Sequence, residues 1–136
     1  MEWRVRAIRG ATTVSQNTVE AIREAVMEML DELEIRNQID PTDIISATFS
    51  VTRDLDAIFP SAIARRGRRR WDNVALLDVQ QMHVEGSLER CIRLLIHVNL
   101  PVSQAKIWHP YLREARVLRP DRSLPQSINS LSPAVR

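Results

Sequence analysis

Residues 91–98 read CIRLLIHV, an almost wholly apolar run with one permanent cation, Arg93, at its third position. A buried, unpaired charge costs several kcal/mol, on the order of a domain's whole stability margin. Arg93 therefore reaches water, meets an internal carboxylate, or waits for one from outside. The run follows Gly86-Ser87, and Leu88, Cys91/Ile92, Leu95 and Val98 recur at helical spacing, so SLERCIRLLIHV reads as a helix. On that reading Glu89 and Arg93 stand one turn apart and form a solvated pair.

Working outward, the opening WRVRAIRG alternates as a strand does. Trp3, Val5 and Ala7 fall on one face, and Arg4, Arg6 and Ile8 on the other. Asn17 followed by Glu20 gives an N-terminal capping pattern. Val19, Ile22, Val26, Met29, Leu30 and Leu33 then predict a helix to about Asn37, ending before Asp40-Pro41. ISATFSV (45–51) reads as a second strand. RDLDAIFPSAIARRGRRRW (53–71) reads as a connection of helical character broken at Pro60. VALLDV (74–79) is apolar on both faces and reads as a central strand. KIWHPYL and EARVL read as short extended pieces. The order strand–helix–strand–strand–helix–strand predicts an α+β fold, a mixed sheet with helices packed on one face. One domain over residues 1–119 is expected, followed by a proline- and serine-rich flexible tail over 120–136.

Composition narrows the function. The chain has 136 residues, 44% of them hydrophobic, enough for a real core. No apolar run approaches a membrane span and the start lacks a signal-peptide core, so no membrane partner is expected. One cysteine, Cys91, excludes an internal disulfide and suits the reducing cytoplasm. His83, His97 and His109 are too scattered for a zinc site. Of 19 basic residues only Lys106 is lysine, against 17 acids. Arginine's planar fork binds carboxylates and phosphates bidentately, which lysine cannot do. RRGRRR (65–70) invites a nucleic-acid reading. Its flanking Asp54, Asp56 and Asp72 and its lack of interleaved aromatics argue instead for a solvated loop. Arginines at element ends could line a cleft for a small ligand with more than one carboxylate.

Four separated stretches carry a resemblance: RGATTV (9–14), DLDAIFP (54–60), VQQMHVEGSLERCIR (79–93) and YLREARVLRPD (111–121). In this order and spacing they resemble the monofunctional chorismate mutases of the AroH class, over about residues 3–121. The resemblance implies a trimer with a pseudo-barrel core and active sites between neighbouring subunits. It also implies conversion of chorismate, a small dicarboxylate, to prephenate with no cofactor. A non-catalytic trimeric binding protein is the rival, against which the joint presence of Arg9, Arg93, Tyr111 and Arg119 argues.

Carried over residue by residue, Arg9 matches the arginine that holds the substrate's side-chain carboxylate. Arg93 matches the one that binds the ether oxygen and that same carboxylate, and Tyr111 adds a hydrogen bond to it. Phe59, Ser61, Leu76, Leu77 and Leu118 match positions that shape the pocket. Arg65 and Arg119 match its positively charged mouth. Two positions depart from the family: Gln81 stands where a glutamate is common, and Asp78 where a cysteine is. An amide at 81 keeps a hydrogen bond to the substrate's ring hydroxyl and loses the charge. Asp78 would face the opposite side in a regular strand, but a bulge or turn could bring both to the pocket. It reads as the relocated carboxylate.

Overall fold

The computed structural model describes residues 2–67 and 69–120. Its sheet has four strands: β1 (Arg4–Thr13), β2 (Ile44–Val51), β3 (Ala75–Gln80) and β4 (Cys91–Leu100). They lie in the order β1-β4-β2-β3, with β2 and β3 parallel and the other pairs antiparallel. Helices α1 (Val19–Asn37) and α2 (Pro60–Gly67) contribute to one core on a single face. The α+β class and the one-sided helix layer match the sequence expectation.

The run CIRLLIHV is the central strand β4, not a helix. Ile92, Leu94, Ile96, Val98 and Leu100 all bury on the helix side, a period of two. β-Branched Ile92, Ile96 and Val98 favour that conformation. β1 and β2 flank β4 and satisfy its backbone on both edges. The expected Glu89–Arg93 helical pair is therefore absent; Glu89 instead lies 3.6 Å from Arg90.

β3 is an edge strand rather than a central one. The apolar residues on its outward face are left uncovered: Leu77 is 57% exposed and Val79 38%. The second helix lies where a broken connection was expected, because Pro60 starts α2 instead of interrupting it. Proline suits a first helical turn, where its missing N–H has no intrahelical acceptor.

α1 follows its predicted stripe, with Ile22, Ala25, Val26, Met29, Leu30 and Leu33 buried. Its cap is Thr18, whose Oγ1 accepts from Ala21 N at 3.1 Å. Asn17 serves another purpose, its Oδ1 accepting from the amides of Asp56 and Ala57 in the loop before α2. Gln38, at φ 52°, ends the helix in the left-handed region.

After β4 the chain makes two 3-10 turns, Gln104–Lys106 and Arg113–Leu118, the second of them over EARVL, where an extended piece was expected. Between them only Tyr111 is strand-like, bridged in parallel to Ala11. This stretch is tied down from two sides. Asn37 accepts from Trp108 N at 2.9 Å and donates to Trp108 O at 2.8 Å, and His109 Nδ1 accepts from Arg9 N at 2.9 Å. Beyond Pro120, the expected tail lies outside the described residues. Among the described residues no helix is long and apolar enough to cross a membrane.

Candidate active site

Strand register assigns the faces. Arg93 pairs with Ala11 on β1 and Ser50 on β2, so the three share the face turned away from the helices. Tyr111 extends this row through its bridge to Ala11. Tyr111, Ala11 and Ala115 form a small buried cluster, with Leu88 and Leu118 packed against it. Arg9 lies two residues before Ala11 on the same face, exposed. Gln81 follows the last residue of β3, its amide donating to Val51 O at 2.8 Å. Because Gln80 pairs with Val51 on the core side, alternation turns Gln81 to the open face, the one that carries Arg93. Arg119, half-buried, follows the turn that carries Leu118.

Two buried polar atoms on this face lack hydrogen-bond partners, Arg93 Nε and Gln81 Oε1. Such groups are costly to leave unsatisfied and mark a place where something else completes the bonding. No ion pair joins Arg93 to a carboxylate among the described residues. Cys91, two residues before it on the same face, is fully buried. Burial pushes its thiol above the ordinary value, opposed by the positive charge of Arg93.

The remaining predicted residues gather elsewhere. Asp78 pairs with Phe49, a core residue, so it faces the helix layer. One carboxylate oxygen accepts from Ser61 N at 3.0 Å, and the other accepts a short hydrogen bond from Ser61 Oγ. Asp78 thus anchors the start of α2, where the helix dipole favours negative charge. Phe59, 70% exposed, precedes that start. A cleft of about 580 Å³ opens there, lined in part by Arg53, Phe59, Pro60, Arg66 and Asp78. Its α2 arginine is Arg66; Arg65 is exposed outside the cleft lining. Leu76 is half-buried against the core, whereas Leu77 turns outward on the opposite face.

One chain therefore holds two separate groups. Arg9, Gln81, Arg93, Tyr111 and Leu118 collect on the open face. Phe59, Ser61 and Asp78 collect at the head of α2. No bulge reorients Asp78, since β3 stays in register with β2 from Ala75 to Gln80. Sequence reasoning passed over Ala11, whose small side chain lets Tyr111 approach the Arg93 row, and Arg66; neither position had a signal in spacing alone.

A family model for chorismate mutase type I matches residues 5–122. The chain belongs to this family. It is 41% identical to the chorismate mutase AroH of Bacillus subtilis (strain 168), over 88% of this chain and 94% of that protein. It is 44% identical to the chorismate mutase AroH of Thermus thermophilus, over 86% of this chain and 95% of that one. A solved chorismate mutase from Clostridium thermocellum superposes with a TM-score of 0.78 at 46% identity. That match covers 82% of this chain and 98% of the other.

Proposed function

We propose that this chain is a chorismate mutase that rearranges chorismate to prephenate, the branch step toward phenylalanine and tyrosine. The observation that carries the site assignment is Arg93, half-buried on a rigid central strand, with a buried Nε that has no acceptor. The reaction is intramolecular and pericyclic: a C–O bond breaks, a C–C bond forms, and no nucleophile or proton transfer is required. A protein assists by holding the chair-like reactive geometry and by stabilising charge as it separates. When C–O cleavage runs ahead of C–C formation, the ether oxygen gains negative charge. A fixed guanidinium beside that oxygen stabilises the transition state more than the ground state.

In this reading Arg93 binds the ether oxygen and the side-chain carboxylate. Arg9 and Tyr111 bind the same carboxylate. Gln81 accepts from the ring hydroxyl, and Leu118 walls the pocket. Phe59, Ser61, Leu76, Leu77 and Asp78 complete it, with Arg65 and Arg119 at its mouth near the ring carboxylate.

Because these two groups lie apart in one chain, the complete site is shared between copies in a homotrimer. The uncovered sheet face supports this assembly. Val5, Leu77, Val79 and Leu95 are all more than a third exposed on it, an apolar area that a lone subunit would present to water. Asp78 then acts on substrate held by the neighbouring subunit's Arg93 face. Residues 1–119 form the catalytic domain, with 120–136 as an appended tail.

The decisive experiment mixes purified protein with chorismate and follows loss of its ultraviolet absorbance, alongside sedimentation at micromolar concentration. Turnover by a trimer is expected. An inert protein overturns the activity, and an active monomer overturns the shared site.

A further inference from the structure

The 3-10 turn Arg113–Leu118 closes over the end of β1, and it starts at a residue with unusual backbone. Arg113 has φ 54°, the left-handed region that favours glycine. Its side chain ties the turn to two elements, α1 and β1. Nε donates to Glu28 Oε1 at 3.0 Å, another guanidinium nitrogen lies 3.5 Å from Glu24 Oε1, and Nη1 donates to Thr13 O at 3.3 Å. Glu24 and Glu28 stand one turn apart on α1, and Thr13 ends β1. The next residue adds a bond from Glu114 N to Thr13 Oγ1 at 3.3 Å. Tyr111 lies two residues before Arg113, and Leu118 ends the same turn.

We propose that Arg113 is a positioning residue for substrate binding. It locks the Tyr111–Leu118 segment against β1 so that both side chains meet the dicarboxylate substrate in place. This rests on the reading above, in which Tyr111 and Leu118 line the chorismate site. A left-handed arginine persists only where its surroundings over-determine it. Here the surroundings are two half-exposed or exposed glutamates, and such ion pairs add little to global stability. Their effect falls on where this segment sits. Without the guanidinium, the segment keeps the main-chain bonds of Pro110 and Leu112 to Ala11 and the Glu114–Thr13 bond. It then spends part of its time off β1, carrying Tyr111 with it. Apparent affinity falls with the fraction of molecules that are binding-competent, while molecules that do bind substrate react as before.

The test is steady-state kinetics with chorismate on the full chain, together with thermal melts. The proteins compared are the parent, Arg113→Gly, Arg113→Lys and the double variant Glu24→Ala/Glu28→Ala. Arg113→Gly should raise KM by about threefold to tenfold with kcat within about twofold. Its melting temperature should stay within ~2 °C, because glycine relieves the left-handed backbone while the ion pairs are lost. Arg113→Lys restores part of the affinity by keeping a cation between the glutamates. The double variant raises KM similarly, and adding it to Arg113→Gly gives no further increase. A parent that turns over chorismate beside an Arg113→Gly variant of unchanged KM overturns the proposal, whatever happens to the melting temperature. A parent without turnover overturns the functional reading, and this inference falls with it.

Discussion

Tyr111 and Arg93 lie in one row across the open face of the sheet, with the methyl group of Ala11 between them. The row depends on Ala11 N donating to Pro110 O at 2.8 Å and Leu112 N donating to Ala11 O at 2.9 Å. That pairing brings Pro110 hard against residue 10. A Cβ on Gly10 would stand 2.7 Å from Pro110 Cγ and 2.8 Å from Pro110 O. Gly10→Ala should therefore force the 107–112 stretch off β1. Overpacking of this kind costs roughly 1–3 kcal/mol, and displacement of Tyr111 should lower kcat/KM as well. Denaturant midpoints and kinetics measured together check this. A variant matching the parent in both would show that the close approach is not what places Tyr111.

In the proposed shared site the carboxylate at Asp78 should carry the negative charge that Gln81 lacks, acting from one copy on substrate held by the next. Asp78→Asn is then expected to reduce kcat/KM more than Gln81→Ala does. Asparagine also weakens the two hydrogen bonds to Ser61, and bonds to a charged group are worth about 1.5–3 kcal/mol. Ser61→Ala separates the effects, because it loses the hydroxyl bond and leaves the charge. Parent-like activity in Asp78→Asn, with a lowered melting temperature, would reduce Asp78 to an anchor for α2.

What the sequence showed and what it hid can be traced to particular residues. α1 was legible because its stripe from Ile22 to Leu33 matches one period only, and β2 because Ala47 and Phe49 alternate with polar partners. β4 was not. Leu88, Ile92, Leu95 and Val98 fit a helix, while Ile92, Leu94, Ile96, Val98 and Leu100 fit a strand equally well. Only the flanking strands, distant in sequence, decide between them. β3 looked central because its residues are apolar on both faces, yet one face is open and, among the described residues, its outer edge is unpaired. Arg9, Phe59, Gln81, Arg93, Tyr111, Leu118 and Arg119 lie in the four family-like motifs, and Ser61, Arg65, Leu76, Leu77 and Asp78 between them. Strand alternation alone sets Asp78 opposite Gln81, and the register shows that no bulge brings the two to one face.

Asp54 supplies a pH test. Partial burial would raise its pKa, but hydrogen bonds from Thr52 Oγ1 at 2.5 Å and Arg90 N at 2.9 Å outweigh this and hold it below its ordinary 3.8. A depressed folded-state pKa stabilises above the ordinary value, and the contribution is lost as pH falls through the folded value. Asp54 joins the start of β2's following loop to the residue before β4. Asp54→Asn should therefore be less stable than the parent at neutral pH and show a shallower fall in melting temperature from about pH 5 to about pH 3. Parallel acid limbs for the two proteins would refute the role given to this group.

Arg93 should carry the largest share of the catalysis. One well-placed donor to a developing oxyanion is worth about 3–4 kcal/mol, roughly 10²–10³ in rate. Arg93→Ala should lose at least that factor in kcat. Arg93→Lys keeps the charge but not the planar fork that can touch ether oxygen and carboxylate together, so it should recover little. Stability should hardly change in either variant. No described carboxylate is paired with Arg93 and its buried Nε has no partner, so the variants lose only a weak bond between the guanidinium and the Cys91 thiol. An alanine variant that melts early would mean the side chain supports the sheet. One that keeps parent kcat would mean that the guanidinium on β4 does not face the breaking bond, and the site would have to be sought in the cleft at the head of α2.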